Sequence, residues 1–344
     1  MTTRRSLLKS ASVAIALALA APAMAQASDP TRVVASFSIL GDMVERIGGA
    51  HVSVTTLVGP DGDTHVYQPT PAAARAASEA DILVVNGLQF EGWLDRLIDA
   101  SDFDGKHVVA TEGIEPIAFE EEEEHHEGEG NAEHGEHADG EHEEGEHEEG
   151  EHGDEDHAEA EGHDHHHHGA FDPHAWQSLG NAVAYVDAIT AALAVADPAN
   201  ATDFYRNRAA YVAEIEALDA EIREMVASLA ADRRTIVTSH DAFQYFGRDY
   251  GLTFLAPQGL STESEASAQD VARLIERIRD EGISAVFLEN ITDGRLLEQI
   301  AKETGASIGG TLYPGALSGP DGPAPSYLEM MRHNAMTLAQ ALSS

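Results

Sequence analysis

Thirteen of the 19 histidines crowd into one segment, and three of the remaining six stand in settings suited to chemistry. His65 ends the loop segment Gly59-Pro60-Asp61-Gly62-Asp63-Thr64, which leaves a β-branched run. His174 lies in Phe171-Asp172-Pro173-His174-Ala175-Trp176, just ahead of a helical pattern, and His240 follows the run Thr235–Thr238 directly. Neutral imidazole is a good ligand for Zn²⁺, and three imidazoles leave one coordination position open. Histidines this far apart also read as isolated loop residues satisfied by backbone hydrogen bonds, and spacing alone does not separate the two readings. His51, His107 and His333 read as structural or surface residues, the first two at strand starts and His333 on the outer face of the last helix. With no Cys in the chain, disulfides, thiolate zinc sites and cysteine nucleophiles are excluded.

The crowded segment, residues 120–168, holds 23 acidic residues and 13 histidines with no Lys or Arg. Glu136–Gly140, Glu141–Gly145 and Glu146–Gly150 repeat with a five-residue period. It has almost nothing apolar to bury, so it is expected to be a disordered insertion and not a domain. It reads either as a solvated spacer extended by its own charge or as a low-affinity zinc collector. Its histidine content, beyond what solubility needs, favours the collector. The whole chain carries 61 Asp and Glu against 20 Lys and Arg, a formal charge of -41, and the part outside the block still carries -18. That balance excludes nucleic-acid or anionic-membrane binding by bulk electrostatics.

Residues 1–25 read as a cleavable export signal: Arg4, Arg5 and Lys9, then the apolar stretch Ala11–Ala21, then the small-x-small site Ala23-Met24-Ala25. The apolar run is too short for a membrane span, and the stretch Thr3–Lys9 resembles a twin-arginine signal. The expected destination is the periplasm. Beyond it, short β-branched runs alternate with helical patterns, which predicts parallel sheets. Strands are expected at Arg32–Phe37, Val52–Val58, Ile82–Val85 and His107–Ala110, and again at Thr235–Thr238, Thr253–Leu255, Ala285–Glu289 and Ser307–Leu312. Residues 201–230 lack Gly and Pro, and Phe204, Tyr211, Ile215, Leu218, Ile222 and Met225 form an apolar stripe on one long helix. The expected organisation is an α/β fold. An N-terminal lobe, 26–200, contains the insertion 120–168; a rigid connecting helix, 201–230, leads to a C-terminal lobe, 231–344. His65 and His240 fall at the carboxyl ends of strands, where open parallel sheets bind ligands.

Several motifs then occur in order: Gly59 to Pro69, Asn86 to Trp93, Asp172 to Trp176, Ser239 to Phe246 and Ser326 to Asn334. Together they resemble the metal-binding solute-binding proteins of ABC importers for zinc and manganese (cluster A-I), over about residues 30–344. The resemblance implies a metal in the cleft between two lobes, with His65 and His174 as ligands from the first and His240 from the second. Manganese members commonly carry a carboxylate at the third position, so His240 points to Zn²⁺ as the transported ion. The family's usual Asp in its Leu-Tyr-x-Asp-x-Leu-Ser segment is replaced here by Gly315. Water, or a carboxylate such as Asp63, Glu289 or Asp321, is then left to complete the coordination. Glu289 is a further candidate as acceptor for a ligand histidine, and Glu263 and Glu265 as solvated or permease-docking residues. The function implied is periplasmic Zn²⁺ capture by a monomer and delivery to a cognate ABC permease and its ATPase, with no enzymatic role. Manganese or iron transport, a zinc hydrolase, and an adhesion or storage protein are the alternatives.

Overall fold

The computed structural model describes residues 29–118 and 170–343; the export signal and the acidic, histidine-rich block lie outside the described residues. Two four-stranded parallel sheets form the frame. The first contains β1 (Thr31–Phe37), β2 (Val52–Val58), β3 (Ile82–Val85) and β4 (Lys106–Val109), in the order β2-β1-β3-β4. The second contains β5 (Thr235–Val237), β6 (Thr253–Leu255), β7 (Ala285–Glu289) and β8 (Ser307–Leu312), in the corresponding order β6-β5-β7-β8. Every pairing is parallel, as alternating strands and helices require. The unbroken apolar run of β3 is buried on both faces, which is why it does not alternate.

Helices α1 (Ser38–Gly48), α2 (Pro71–Glu79), α3 (Leu94–Ser101) and α4 (Leu179–Ala196) belong to the first lobe. The second lobe has α6 (Gln244–Tyr250), α7 (Ala268–Glu281), α8 (Arg295–Thr304) and α9 (Tyr327–Leu342). Hydroxyls cap four of them: Thr70, Ser178, Ser267 and Ser326 each accept a backbone N–H from the first turn. The long helix α5 (Ala201–Ala227) has 27 residues, about 40 Å at the usual rise. Its buried stripe Phe204, Tyr211, Ile215, Leu218 and Ile222 packs against α1 and α4 on one side and α6 and α9 on the other. Although α4 is apolar and long enough to resemble a membrane span, it packs on α1 and α5 with Leu179, Tyr185, Val186 and Ile189 buried.

The lobes are joined by more than the long helix. One apolar cluster runs from Val33 in β1 to Leu342 in α9, so the two sheets share a core. Asp42 of α1 accepts a hydrogen bond from Tyr327 N at the start of α9 (3.0 Å), and the Tyr327 hydroxyl donates to Trp176 O (2.6 Å). Trp176 Nε1 in turn donates to Pro314 O of the second lobe (2.8 Å). Such a buried, hydrogen-bonded seam favours small adjustments at the cleft over wide hinge opening.

Candidate metal centre

Each histidine reaches the cleft for a local reason. His65 ends a loop of Gly, Pro and Asp after β2, and Asp63 Oδ1 accepts from its backbone N–H (3.0 Å) in an Asx turn. His174 is followed by a short 3₁₀ turn, Ala175–Gln177, that links it to α4. His240 follows β5, where its backbone N–H and that of Ser239 donate to Glu289 Oε1 at the end of β7 (3.1 and 3.0 Å).

These three side chains converge, and one nitrogen of each lies within 4.8 Å of the others. His65 Nε2 and His174 Nε2 are 3.3 Å apart. Two ligands placed about 2.0–2.1 Å from a tetrahedral Zn²⁺ lie about 3.3–3.4 Å apart, so this spacing suits a shared ion. His174 and His240 are fully buried and His65 half-buried. Phe90, 4.9 Å from the His65 ring and 4.7 Å from Trp176, belongs with Phe37 to an aromatic cluster that packs against the histidine.

A carboxylate holds the far nitrogen of each buried ring. His174 Nδ1 lies 2.8 Å from Asp172 Oδ1, and His240 Nδ1 lies 2.6 Å from Glu289 Oε2. This orients each Nε2 toward the cleft and raises its basicity. His240 Nε2 is buried and has no hydrogen-bond partner, a costly arrangement that a cation would relieve. Burial, aided by His240, holds the His174 pKa well below its usual value, so this ring is neutral and ready to ligate. For His240 burial works in the same downward direction, but the charge and hydrogen bond of Glu289 outweigh it and the net shift is upward. Burial pushes the Asp172 carboxyl up to about 7.

The structure also sorts the remaining expectations. Glu289 is the acceptor for His240 and is fully engaged there. Asp63 divides its oxygens between His65 N and the Thr262 hydroxyl (2.6 Å), and Asp321 is exposed on a turn. Among the described residues, the ligand group contains no carboxylate. A Cβ on Gly315 would meet Trp176 and Ile291 at ordinary distances of 3.7 and 3.9 Å, so the backbone there does not require glycine for space at that atom. Glu263 and Glu265 are exposed, as expected of loop charges. His333 does not face outward: Nε2 lies 3.0 Å from Thr311 O and its ring packs edge-on against Tyr313, because α9 covers β8. His51 pairs with Asp203 of α5 at 3.0 Å.

Sequence reasoning missed the residues that position the 172–174 segment. Asn86 Nδ2 donates to Pro173 O (2.9 Å), while Asn86 itself is held by the Tyr185 hydroxyl (2.5 Å) and by Glu91, which accepts from its backbone N–H (2.7 Å). From the second lobe, the Tyr245 hydroxyl donates to Asp172 O (2.8 Å). The Asp-x-His spacing of Asp172 and His174 was a usable signal for the first carboxylate, since two residues suffice for a side chain to fold back on the backbone. Tyr245 lies within the Ser239–Phe246 motif, but nothing in that motif marked it as a partner of Asp172.

Known proteins share both the sequence and this architecture. The chain is 31% identical over 309 residues to "Iron-binding protein YfeA" of Yersinia pestis, covering 90% of this chain and 85% of that protein. It is 29% identical over 313 residues to "Manganese-binding lipoprotein MntA" of Halalkalibacterium halodurans, covering 91% and 88%. The solved structure of periplasmic zinc-binding protein TroA from Treponema pallidum is similar with a TM-score of 0.74 and 26% identity, over 91% of this chain and 99% of that one. Residues 33–341 match the family described as "ZnuA: Zinc-uptake complex component A periplasmic", and the chain belongs to that family of periplasmic metal-binding components of ABC importers.

Proposed function

We propose that this protein captures Zn²⁺ in the cleft through His65, His174 and His240 and delivers it to a cognate ABC permease and its ATPase. The observation that carries the reading is an all-imidazole ligand group drawn from both lobes, with no carboxylate in it. Imidazole suits Zn²⁺, whereas carboxylates suit manganese. Water at the open position completes a tetrahedron. Residues 1–25 direct export and are then removed. Residues 26–200, 201–230 and 231–344 act as first lobe, connector and second lobe of a monomer. The block 120–168 serves as a weak collector, and its deletion removes the weak zinc equivalents while one tight site persists.

Relatives named for iron and for manganese support a second reading, transport of one of those ions. Competitive titration of one equivalent of Zn²⁺ against Mn²⁺ and Fe²⁺ separates them. Preference for zinc, lost in His240→Ala, supports the proposal; preference for manganese or iron at the same site overturns the zinc assignment. Absence of ester or CO₂ turnover by the zinc-loaded protein distinguishes cargo from a catalytic metal.

A further inference from the structure

The loop carrying His65 is tied to the second lobe at three points, and one tie runs through the residue that fixes the ligand's backbone. Asp63 accepts from His65 N with Oδ1 (3.0 Å) and from the Thr262 hydroxyl with Oδ2 (2.6 Å). Two residues earlier, Asp61 N donates to Leu317 O (2.8 Å) and Asn290 Nδ2 donates to Asp61 Oδ1 (2.9 Å). His65 is also the one ligand candidate that is not fully buried. A cavity of about 520 Å³ opens onto it. Leu88 and Phe90 form its wall on the first lobe, and Leu260, Ser261 and Glu263 its wall on the second. Thr262 lies between Ser261 and Glu263 in the chain, outside the cavity lining itself. A single carboxylate therefore joins the most accessible candidate ligand to the chain segment that carries the second wall.

We propose that Asp63 and Thr262 form an interlobe latch that sets how long a bound cation is held. The proposal rests on the three histidines being the cargo site. It makes Asp63 and Thr262 positioning residues, acting through His65 and the 260–263 wall without touching the ion. The Asx turn within the 59–65 loop does not involve Thr262, so losing the Thr262 hydroxyl leaves His65 placed for capture. What is lost is the tie that keeps loop and wall together after capture. Because this hydrogen bond ties loop and wall together after capture, its loss falls on the release rate.

The test uses the full chain loaded with one equivalent of Zn²⁺ and follows release to a chelator by stopped flow. Thr262→Val, close to isosteric, is expected to speed release about tenfold, with association rate and apo melting temperature unchanged. Thr262→Ser is expected to restore slow release. In an Asp63→Ala background, Thr262→Val is expected to add nothing, since its partner is gone. Release from Thr262→Val at the wild-type rate, or an equal acceleration in the Asp63→Ala background, overturns the latch. A wild-type release trace unaltered by His240→Ala instead overturns the cargo-site reading, and the latch with it.

Discussion

The two lobes repeat one strand order but furnish the cleft from different places. In the first lobe the histidines follow β2 and β4; in the second, the histidine follows β5, which corresponds in order to β1. Repetition of a parallel sheet thus supplies two facing rings of loop ends, and side-chain chemistry decides which ends are used. The buried imidazole–carboxylate pairs differ as well. His174 sits beside Asp172 on the first lobe and is held neutral by burial, whereas His240 is held toward its charged form by Glu289. One lobe presents an imidazole that gives up its proton readily; the other presents one that holds its proton more tightly.

The largest expected effect comes from removing a buried ring. His174→Ala and His240→Ala should each weaken metal binding by roughly 100-fold or more, because losing a ligand exceeds the 10–100-fold typical of its supporting carboxylates. Calorimetry with one equivalent of metal measures this. Equal affinity in either variant would remove that lobe from the site.

Replacing the carboxylates compares the two pairs directly. Glu289→Gln should cost about 10–100-fold in affinity and Asp172→Asn less, since Glu289 carries the countercharge of its ring. Affinity should fall as pH drops through the raised His240 pKa, because proton and metal compete for Nε2. In Glu289→Gln that fall should move to lower pH. Identical pH profiles in wild type and Glu289→Gln would contradict the contrast.

Stability of the metal-free protein should carry the same signature. Burial raises Asp172 to about 7 and Asp42 and Asp241 to about 6, above their unfolded values near 4, and His240 is raised as well. At these four groups the folded state binds more protons than the unfolded chain through this window, and they outnumber His174, whose lowered pKa works in the opposite direction. Its stability is highest in mild acid and is lost as pH rises through these folded values. The apo melting temperature should be several degrees lower at pH 8 than at pH 5.5. A rise over that range would contradict the shifts.

The smallest expected effect is a gain. Gly315→Asp, at a position where a Cβ makes only ordinary contacts, should tighten Mn²⁺ binding a few-fold relative to Zn²⁺, measured by competition.

Much of this frame was legible in the sequence because local signals agree. The strands at Val52–Val58, Ile82–Val85, Thr253–Leu255, Ala285–Glu289 and Ser307–Leu312 occupy the expected residues. The convergence of His65, His174 and His240 was expected from ordered motifs, since no local pattern brings positions 65 and 240 together. Placement of His333 failed because the last helix is covered by β8 on a face that periodicity alone assigned to solvent. Asn86, Tyr185 and Tyr245 act across tens of residues through single hydrogen bonds, and such links leave no periodic trace.

Anomalous diffraction from crystals of the protein loaded with one equivalent of Zn²⁺ bears most directly on whether both lobes share one cation. The expected result is a single strong peak about 2.0–2.1 Å from Nε2 of His65, His174 and His240. A peak bound by one lobe only, or located away from these three rings, would contradict it.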